Sequence, residues 1–440
     1  MSDRRLSNPL AQPAPTVLES ATFADLWRDA LLPYLGIRLI FMLIGLFTLY
    51  YIEPVIIKQY PLATVTAHIH FPQVLWHMWI RFDSGFYLDI AQHGYWSART
   101  LHTRSNWAFY PFYPLLLGLI GRFLGGSETA FSLAGLFVSN VAGCVAMVYL
   151  YRLVRREFSQ EVAARTVLYQ ALFPMSFYLS TVYTEALFLA LAVACIYYAR
   201  QQSWWLSGLC GGLAALTRAQ GVVLVLPVGW EYLRVMSERY AVYPEQLPQN
   251  WLERVFLRLS LFFQGLWQAA GIWHNWCTAL ALALIPAGLC TFMLYAKIQT
   301  GDALATFHTS AWGWGRRLSS PWRMLIHALA HPMLAAPLNW NFWLFNIIAA
   351  LGFLFFTLWA VRRLPAIYSL YTAVMVLLPL SSNLLNSLGR YDLVVFPAFL
   401  LLALLSCNGR SHWHHFILIA FTAFQAIFLA CFVIGIPALA

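Results

Sequence analysis

The stretch from Trp79 to Tyr95, WIRFDSGFYLDIAQHGY, places an arginine, two carboxylates and an imidazole among aromatic residues. A carboxylate positioned in such surroundings can take a proton from a reacting hydroxyl, as a general base does. On a helix Asp83 and Tyr87 share one face, whereas Asp89 lies six positions on and points elsewhere. Asp83 is therefore the candidate catalytic residue, and Tyr87 is a candidate for binding beside it.

The residues around this pair predict a helix that lies on the outer membrane surface. Apolar side chains recur at helical spacing between Trp76 and Ile90, as in helices that rest in an interface. Two alternatives leave Asp83 without a catalytic role. It is then an ordinary surface charge of such a helix, or it pairs with Arg81.

Glu185 is the only acid between Glu161 and Glu231, and it stands near the start of an apolar stretch. A carboxylate in that position is costly unless it is paired or faces water, so Glu185 is a functional candidate. The alternative is structural, because a carboxylate at a helix N-terminus is stabilised by the helix dipole.

Two arginines end apolar stretches beside glycine: Arg218 before Gly221, and Arg390 after Gly389. Glycine permits close approach of a head group, and arginine can bind phosphate with two parallel hydrogen bonds. Snorkelling of the side chains to the membrane surface is the alternative. A further pair, Arg316 and Arg317, follows WGWG in a loop that could fold over a site.

Metal and nucleotide sites are not indicated. His68 and His70 form a His-x-His pair without a nearby acid or cysteine pair, which is a weak metal signal. The seven cysteines show no CxxC spacing. Walker and GxGxxG phosphate loops are absent from the sequence, which argues against a nucleotide-sugar site or an ATP-driven pump.

Composition places the chain in a membrane. Of 440 residues, 61% are hydrophobic and 10% are charged, whereas soluble domains are about 25% charged. The net charge of +10 comes from 27 basic and 17 acidic residues, and all the basic residues but two are arginines. Helix-flanking arginine on the cytoplasmic side explains most of this excess, and nucleic acid is not an expected partner.

The predicted fold class is an all-α polytopic membrane protein. Eleven apolar stretches are candidate spans: 31–52, 130–151, 163–180, 183–199, 204–217, 221–236, 272–296, 341–361, 365–381, 391–406 and 413–436. The predicted organisation is a cytoplasmic segment at 1–30, a core module at 31–300 with interfacial helices at about 53–125, and a C-terminal module at 301–440 with an outer loop at 301–340.

The distribution of basic residues among the loops predicts which side of the membrane each loop occupies. If 109–124 crossed the membrane, the arginines after residue 151 would lie outside, against the preference of basic loops for the cytoplasmic side. We therefore expect 109–124 to lie at the surface and the N-terminus inside. The intervening segment 234–268 is then predicted to be a cytoplasmic loop. All the motifs above then face the exterior.

The motifs RFDSGFYLDIAQHGY, FYPFYPLL, YTEALF, TRAQG and LGRYDLVVFP resemble, in the same order, landmarks of the PIG-V family of GPI mannosyltransferase 2 type and its bacterial relatives. The resemblance runs from about residue 30 to 405. Phe82 stands where tryptophan is common, and Ser84 stands where alanine is common. The resemblance implies a GT-C glycosyltransferase fold of about eleven spans, with the essential aspartate at Asp83.

What the resemblance implies is inverting transfer of a hexose, with mannose preferred, from a polyprenyl- or dolichyl-phosphate sugar to an acceptor hydroxyl on a lipid or glycan. Asp83 is the base, and Arg218, Arg390, Arg316 and Arg317 bind the donor phosphate. The remaining predicted sugar- or acceptor-binding residues are Glu185, Tyr87, Tyr110, Tyr113, Tyr183, Gln220 and Tyr391. No cofactor is implied, and a divalent metal is possible without being indicated.

The expected location is a bacterial inner membrane with the site on the periplasmic side, or the endoplasmic reticulum membrane in a eukaryote. Two alternatives come from other classes of protein. A lipid or glycolipid transporter would also line its pathway with acids and arginines, but the chain shows no internal repeat of the kind that many transporters carry. The other alternative is a non-catalytic scaffold.

Overall fold

The computed structural model describes residues 21–55, 71–244, 248, 250–330, 340–385, 387–407 and 411–436. In the helices that begin at residues 340 and 411, side chains are described from residues 344 and 412 onward. Most of this part of the chain is helical, and no β-strand is found in the described ranges. The first nine helices are α1 (Phe23–Val55), α2 (Val74–His77), α3 (Ser84–His93), α4 (Phe112–Phe123), α5 (Glu128–Glu157), α6 (Gln160–Leu172), α7 (Glu185–Arg200), α8 (Trp204–Thr217) and α9 (Val225–Tyr240). The others are α10 (Trp251–Ala270), α11 (Trp273–Thr300), α12 (Ala305–Gly313), α13 (Pro321–Ala330), α14 (Trp340–Arg363), α15 (Ala366–Leu380), α16 (Leu388–Asp392), α17 (Phe396–Cys407) and α18 (Ser411–Ile434).

Five helices in the described part of the chain are long and apolar enough to cross a membrane: Phe23–Val55, Glu128–Glu157, Trp273–Thr300, Leu344–Arg363 and His412–Ile434. The other six predicted spans coincide with shorter helices of 12 to 16 residues. Because every predicted span contains a helix, the predicted all-α polytopic membrane fold is confirmed. Helix α4 has 12 residues, too few to span a bilayer core alone, since spanning takes about 20.

Helix α7 forms the centre of the bundle, and charged groups occur only at its two ends. Arg200 at its C-terminal end pairs with Glu157 and Glu231, each at 2.6 Å. Glu185 at its N-terminal end belongs to a second charged cluster. Since a helix rises 1.5 Å per residue, the two clusters lie about 22 Å apart along α7. Buried apolar side chains separate them.

Close packing of α8 against α11 determines where the residues after α8 lie. A Cβ atom on Gly208 would overlap the carbonyl oxygen of Ala281, and one on Gly288 would overlap the backbone of Gly212. The two helix backbones therefore touch along this seam. Helix α8 ends at Thr217, so the packing carries the next residue, Arg218, to a defined position at the same end of the bundle as Glu185.

Outside the Asp83 segment, two segments differ in local structure from the sequence prediction, and the membrane side of 234–268 stays a prediction. Segment 234–268 is mostly helical, because α9 continues to Tyr240 and α10 begins at Trp251. The charged residues in this segment interrupt the apolar pattern from which a helix would be predicted. Asn250 caps α10 by accepting a hydrogen bond from the Leu252 N–H at 3.2 Å. The predicted span 163–180 breaks after Leu172, since proline at 174 disfavours helical backbone in the residue before it.

Candidate active site

The backbone around Asp83 is a tight turn between α2 and α3. Phe82 adopts φ +50°, a left-handed conformation that is rare for bulky residues and that strained functional sites can hold. The continuous helix predicted from Trp76 to Ile90 was therefore wrong. Asp83 is instead the residue that precedes the first turn of α3. From this position it and Tyr87 both face one cavity.

The hydroxyl of Tyr183 and the end of the last helix hold this turn in place. Tyr183 donates to the Arg81 carbonyl and accepts from the Asp83 N–H, both at 3.1 Å. Arg81 donates to the Val433 carbonyl from Nε at 3.1 Å and from Nη2 at 2.8 Å. Since Val433 lies in the last turn of α18, this contact satisfies a carbonyl that has no partner within the helix. Arg81 therefore anchors the turn through α18, and the alternative pairing of Arg81 with Asp83 is absent.

A chain of four buried or half-buried charges runs along the floor of the cavity. Arg390 donates to Asp83 Oδ2 from Nη1 at 3.3 Å, and its Nε lies 3.2 Å from Glu185 Oε1. The same oxygen lies 2.8 Å from Nη1 of Arg218. The order is therefore Asp83, Arg390, Glu185, Arg218, with alternating sign. Pairing offsets the high cost of desolvating each charge.

Glu185 is the most buried member of this chain, with a side chain that is 1% exposed. Its Oε1 faces both arginines, and its Oε2 has no hydrogen-bond partner among the described residues. Because Arg218 and Arg390 converge on one carboxylate, Glu185 holds the two guanidinium groups at a fixed separation. This arrangement can present two cations to one ligand anion.

The two glycines beside these arginines pack against protein. A Cβ on Gly221 would overlap the α8 backbone at Ala214, and one on Gly389 would come within 2.6 Å of the Phe345 ring. Their expected role, close approach of a ligand head group, was therefore wrong. They allow the segments that carry the arginines to pack tightly against α8 and α14.

Tyr391 lies among three arginines. Arg316 donates a hydrogen bond to the Tyr391 hydroxyl, and the guanidinium carbons of Arg218, Arg316 and Arg390 lie 5.1, 5.3 and 5.5 Å from its ring centre. This part of the cavity therefore has a positive potential that favours an anion.

Arg317 lies at the rim of the cavity and is exposed. Its backbone N–H donates to Asn383 Oδ1 at 2.7 Å, and its carbonyl accepts from the Asn383 N–H at 3.1 Å. The loop after α12 is thereby attached to the segment that follows α15. The loop lies over the site, as the sequence indicated.

The cavity has a volume of about 570 Å³, within the usual range for small-molecule sites. Every motif singled out in the sequence contributes to its lining. The predicted site residues that line it are Asp83, Tyr87, Tyr110, Glu185, Arg218, Gln220, Arg316, Arg317, Arg390 and Tyr391. Their spatial convergence is observed, and their individual roles stay predictions.

Tyr113 and Tyr183, which were predicted to contact sugar, are outside the lining. Tyr113 is fully buried and bonds to Ser139 Oγ at 2.8 Å, between α4 and α5. Tyr183 holds the Asp83 turn from behind. Both side chains position the wall of the cavity and do not face its interior.

Asp89 faces away from the cavity, as predicted from helical spacing. It accepts hydrogen bonds from Trp96 Nε1 and from Asn106 Nδ2, and His93 Nδ1 lies 3.1 Å from its other oxygen. Asp89 therefore attaches the loop that follows α3 to that helix. Its surroundings are those of a structural residue.

Sequence reasoning missed one wall of the cavity. It is formed by α12 and the residues just after it, including Thr306, His308, Ser310 and Trp314. Single serine, threonine and histidine residues in a loop between spans carry no local signal. Within the described ranges no three His, Cys, Asp or Glu side chains cluster as metal ligands, and His68 and His70 lie outside those ranges.

Comparison with known proteins gives one family match. Residues 110–243 match the sequence model of the family described as dolichyl-phosphate-mannose-protein mannosyltransferase. The matched segment is less than a third of the chain. It contains Glu185 and Arg218 but excludes Asp83 and Arg390. No curated protein matches the chain.

Several solved structures, including the following two, are similar to this chain over most of its length. The archaeal oligosaccharyltransferase AglB from Archaeoglobus fulgidus, in complex with an inhibitory peptide and a dolichol-phosphate, is 14% identical with a TM-score of 0.41, over 92% of this chain and 56% of that one. ArnT from Cupriavidus metallidurans, bound to undecaprenyl phosphate, is 14% identical with a TM-score of 0.45, over 83% of this chain and 76% of that one. The chain thus spans little more than half the length of AglB. The family match supports the predicted enzyme class, a membrane glycosyltransferase of the GT-C type, whereas the narrower PIG-V assignment stays a prediction.

Proposed function

We propose that the protein transfers a hexose, with mannose as the preferred candidate, from a polyprenyl-phosphate sugar to an acceptor hydroxyl. The alternating chain of Asp83, Arg390, Glu185 and Arg218 carries this proposal, because it places two carboxylates and two guanidinium groups on the floor of a single cavity. The family match over residues 110–243 supports a lipid-phosphate sugar as donor. The remaining sequence motifs contribute to the same cavity.

In the proposed reaction the acceptor hydroxyl attacks C1 of the donor sugar while Asp83 takes its proton. The bond between C1 and the phosphate oxygen breaks, and polyprenyl phosphate leaves. Attack from the side opposite to the leaving group inverts the configuration at C1. Asp83 suits the role of base because its side chain is only 18% exposed and is oriented by the hydrogen bond from Arg390.

The leaving group gains negative charge, since a phosphodiester with one charge becomes a phosphate monoester with up to two. Fixed cations around that phosphate therefore stabilise the transition state more than the ground state. Arg218 and Arg390 are held on Glu185, and Arg316 is held by Tyr391 and reaches the cavity from the loop after α12. Asp83 and Glu185 balance two of the four arginines that line the cavity, which leaves two positive charges for the phosphate.

The test of this function is sugar transfer in membranes. Membranes that contain the protein are given radiolabelled polyprenyl-phosphate mannose or polyprenyl-phosphate glucose, and label is followed into glycolipid, polymer and protein. A transferase gives a labelled product and free polyprenyl phosphate. A transporter moves the donor without cleaving it, and a scaffold does neither. Absence of product from every donor, with the protein present in the membrane, would reject the proposal.

The two charged clusters at the ends of α7 support a proposal for the side of the membrane on which the cavity lies. Asp83 and Glu185 lie at one end, and the basic residues at the C-terminal end of α5 lie at the other, with Glu157. Because basic residues favour the cytoplasmic side, we propose that the cavity opens to the exterior, which is the periplasm if the membrane is a bacterial inner membrane.

We expect single cysteines in the 97–106 and 312–320 loops, in a cysteine-free background, to react with an impermeant thiol reagent in intact cells. Cysteines at 155–160 and 408–412 should react only after the membrane is permeabilised. Mass tagging of the labelled protein measures this. Labelling of 155–160 in intact cells would invert the topology and place the cavity in the cytoplasm.

A further inference from the structure

The two sides of the cavity differ in chemistry. The floor carries the ion chain from Asp83 to Arg218. The side formed by α12 and the residue just after it is uncharged or weakly basic, with two hydroxyl groups (Thr306 and Ser310), the imidazole of His308 and the ring of Trp314. Hydroxyl and imidazole groups exchange hydrogen bonds with hydroxyl groups, and aromatic rings offer an apolar surface.

His308 is held in one orientation by Asp302. Its Nδ1 lies 2.6 Å from Asp302 Oδ2, and the other carboxylate oxygen accepts the Leu304 N–H at 2.8 Å. A neutral histidine that donates from Nδ1 to a carboxylate keeps its lone pair on Nε2. Asp302 therefore determines both the position of the ring and which nitrogen can accept a hydrogen bond.

The pair lies at the open end of the cavity. The His308 side chain is 52% exposed and that of Asp302 is 30% exposed, whereas the carboxylates of the floor are 1% and 18% exposed. Partial burial raises the pKa of Asp302, but the hydrogen bonds from His308 and the Leu304 N–H outweigh it and keep this carboxyl group ionised well below neutral pH. His308 therefore lies at the more exposed part of the cavity lining.

We propose that Asp302 and His308 form an acceptor subsite, in which Nε2 of His308 accepts a hydrogen bond from a hydroxyl group of a sugar acceptor. The inference rests on the proposed transferase function and adds the acceptor's chemical class to it. A sugar ring presents several hydroxyl groups and an apolar face, and this side of the cavity offers partners for both, including the rings of Phe307 and Trp314. His308 is a specificity-determining residue in this proposal, and Asp302 is a positioning residue.

The chain contains a matched control pair. Asp89 and His93 form the same kind of contact, at 3.1 Å, with side chains 30% and 70% exposed. Neither residue lines the cavity. An effect that came only from losing an exposed aspartate–histidine pair, which is worth little in stability, would therefore appear equally at His93.

The experiment uses the full-length protein in detergent with saturating polyprenyl-phosphate [14C]mannose as donor and octyl α-D-mannoside as the acceptor probe. Two products are measured, the octyl disaccharide and free mannose from slow transfer to water. We expect His308→Leu, which has no polar atom, to raise the KM for octyl mannoside about five- to tenfold, the effect of losing one hydrogen bond. The donor KM and the rate of transfer to water should stay within about twofold of wild type in this comparison.

Asp302→Asn is the second variant. Asparagine retains the cap on the Leu304 N–H, but its amide can donate to Nδ1 and so move the ring proton to Nε2. We expect the same rise in acceptor KM without a change in transfer to water. His93→Leu should leave all three quantities at the wild-type level.

Three results would overturn the subsite. They are an unchanged acceptor KM in His308→Leu, an equal rise in His93→Leu, or an equal loss of transfer to water, which would mean a general structural effect. Use of a Ser/Thr peptide but no alkyl glycoside by the wild-type protein would reject the sugar class. Failure of the wild-type protein to form either product from any donor would reject the proposed function itself, and the inference with it.

Discussion

Replacing Asp83 with asparagine should lower sugar transfer by about two to four orders of magnitude, the usual contribution of a general base. The amide has the shape of the carboxylate and can still lie beside Arg390, but it cannot take the proton of the acceptor hydroxyl. The amount of protein in the membrane should not change. Initial rates with labelled polyprenyl-phosphate mannose, normalised to the amount of protein, measure this effect.

Asp89→Asn is the control for that experiment. Asp89 accepts hydrogen bonds from Trp96 and Asn106 outside the cavity, so its loss should reduce thermal stability more than transfer. Equal losses of transfer in the two variants, at equal stability, would show that the distinction between a cavity-facing Asp83 and a structural Asp89 is wrong.

Replacing Arg390 with lysine should weaken use of the donor by on the order of 1–3 kcal/mol, the range for a hydrogen bond to a charged group. Arg390 reaches Asp83 from Nη1 and Glu185 from Nε. Lysine keeps the charge but has a single nitrogen, so it cannot span both carboxylates and a phosphate. We expect Arg218→Lys to act in the same direction but less strongly, because Arg218 contacts only one carboxylate. The ratio kcat/KM for the donor measures both effects.

Arg122→Lys serves as the matched control, since Arg122 is exposed on α4 and donates only to the Ala91 carbonyl. This change should be nearly silent. Full activity in both Arg218→Lys and Arg390→Lys would remove these two residues from phosphate binding. Arg316 and Arg317 would then be the next pair to test.

The members of the ion chain could be found from the sequence because each is a charge in an apolar context. Glu185 stands alone over a long apolar interval, and Arg218 and Arg390 each end a candidate span. Their pairing could not be found in the same way, since Arg390 is 307 positions from Asp83. Nothing local predicts which carboxylate a given arginine meets when the helices pack.

The prediction for the Asp83 segment failed because a tertiary contact changes the backbone at one residue. The apolar period of Trp76 to Ile90 is that of one helix, yet the Phe82 backbone adopts a conformation that interrupts it. Packing of Phe82 against Phe432, with ring centres 5.7 Å apart, is a tertiary contact that overrides the local preference. His308 was missed for another reason, because an exposed histidine becomes a candidate site residue only when the cavity beside it is known.

The contact between Arg81 and the Val433 carbonyl joins residues 352 positions apart, and this has a consequence for biosynthesis. Chains are made from the N-terminus, so Arg81 and the proposed base, Asp83, are synthesised long before α18. Until that last helix has been made and inserted, the turn around Asp83 lacks the carbonyl that anchors it and the ring of Phe432 that supports Phe82. A nascent chain, or one shortened before α18, can therefore assemble the arginines that are proposed to bind the donor without a correctly placed base, and insertion of α18 becomes the step that completes the proposed site.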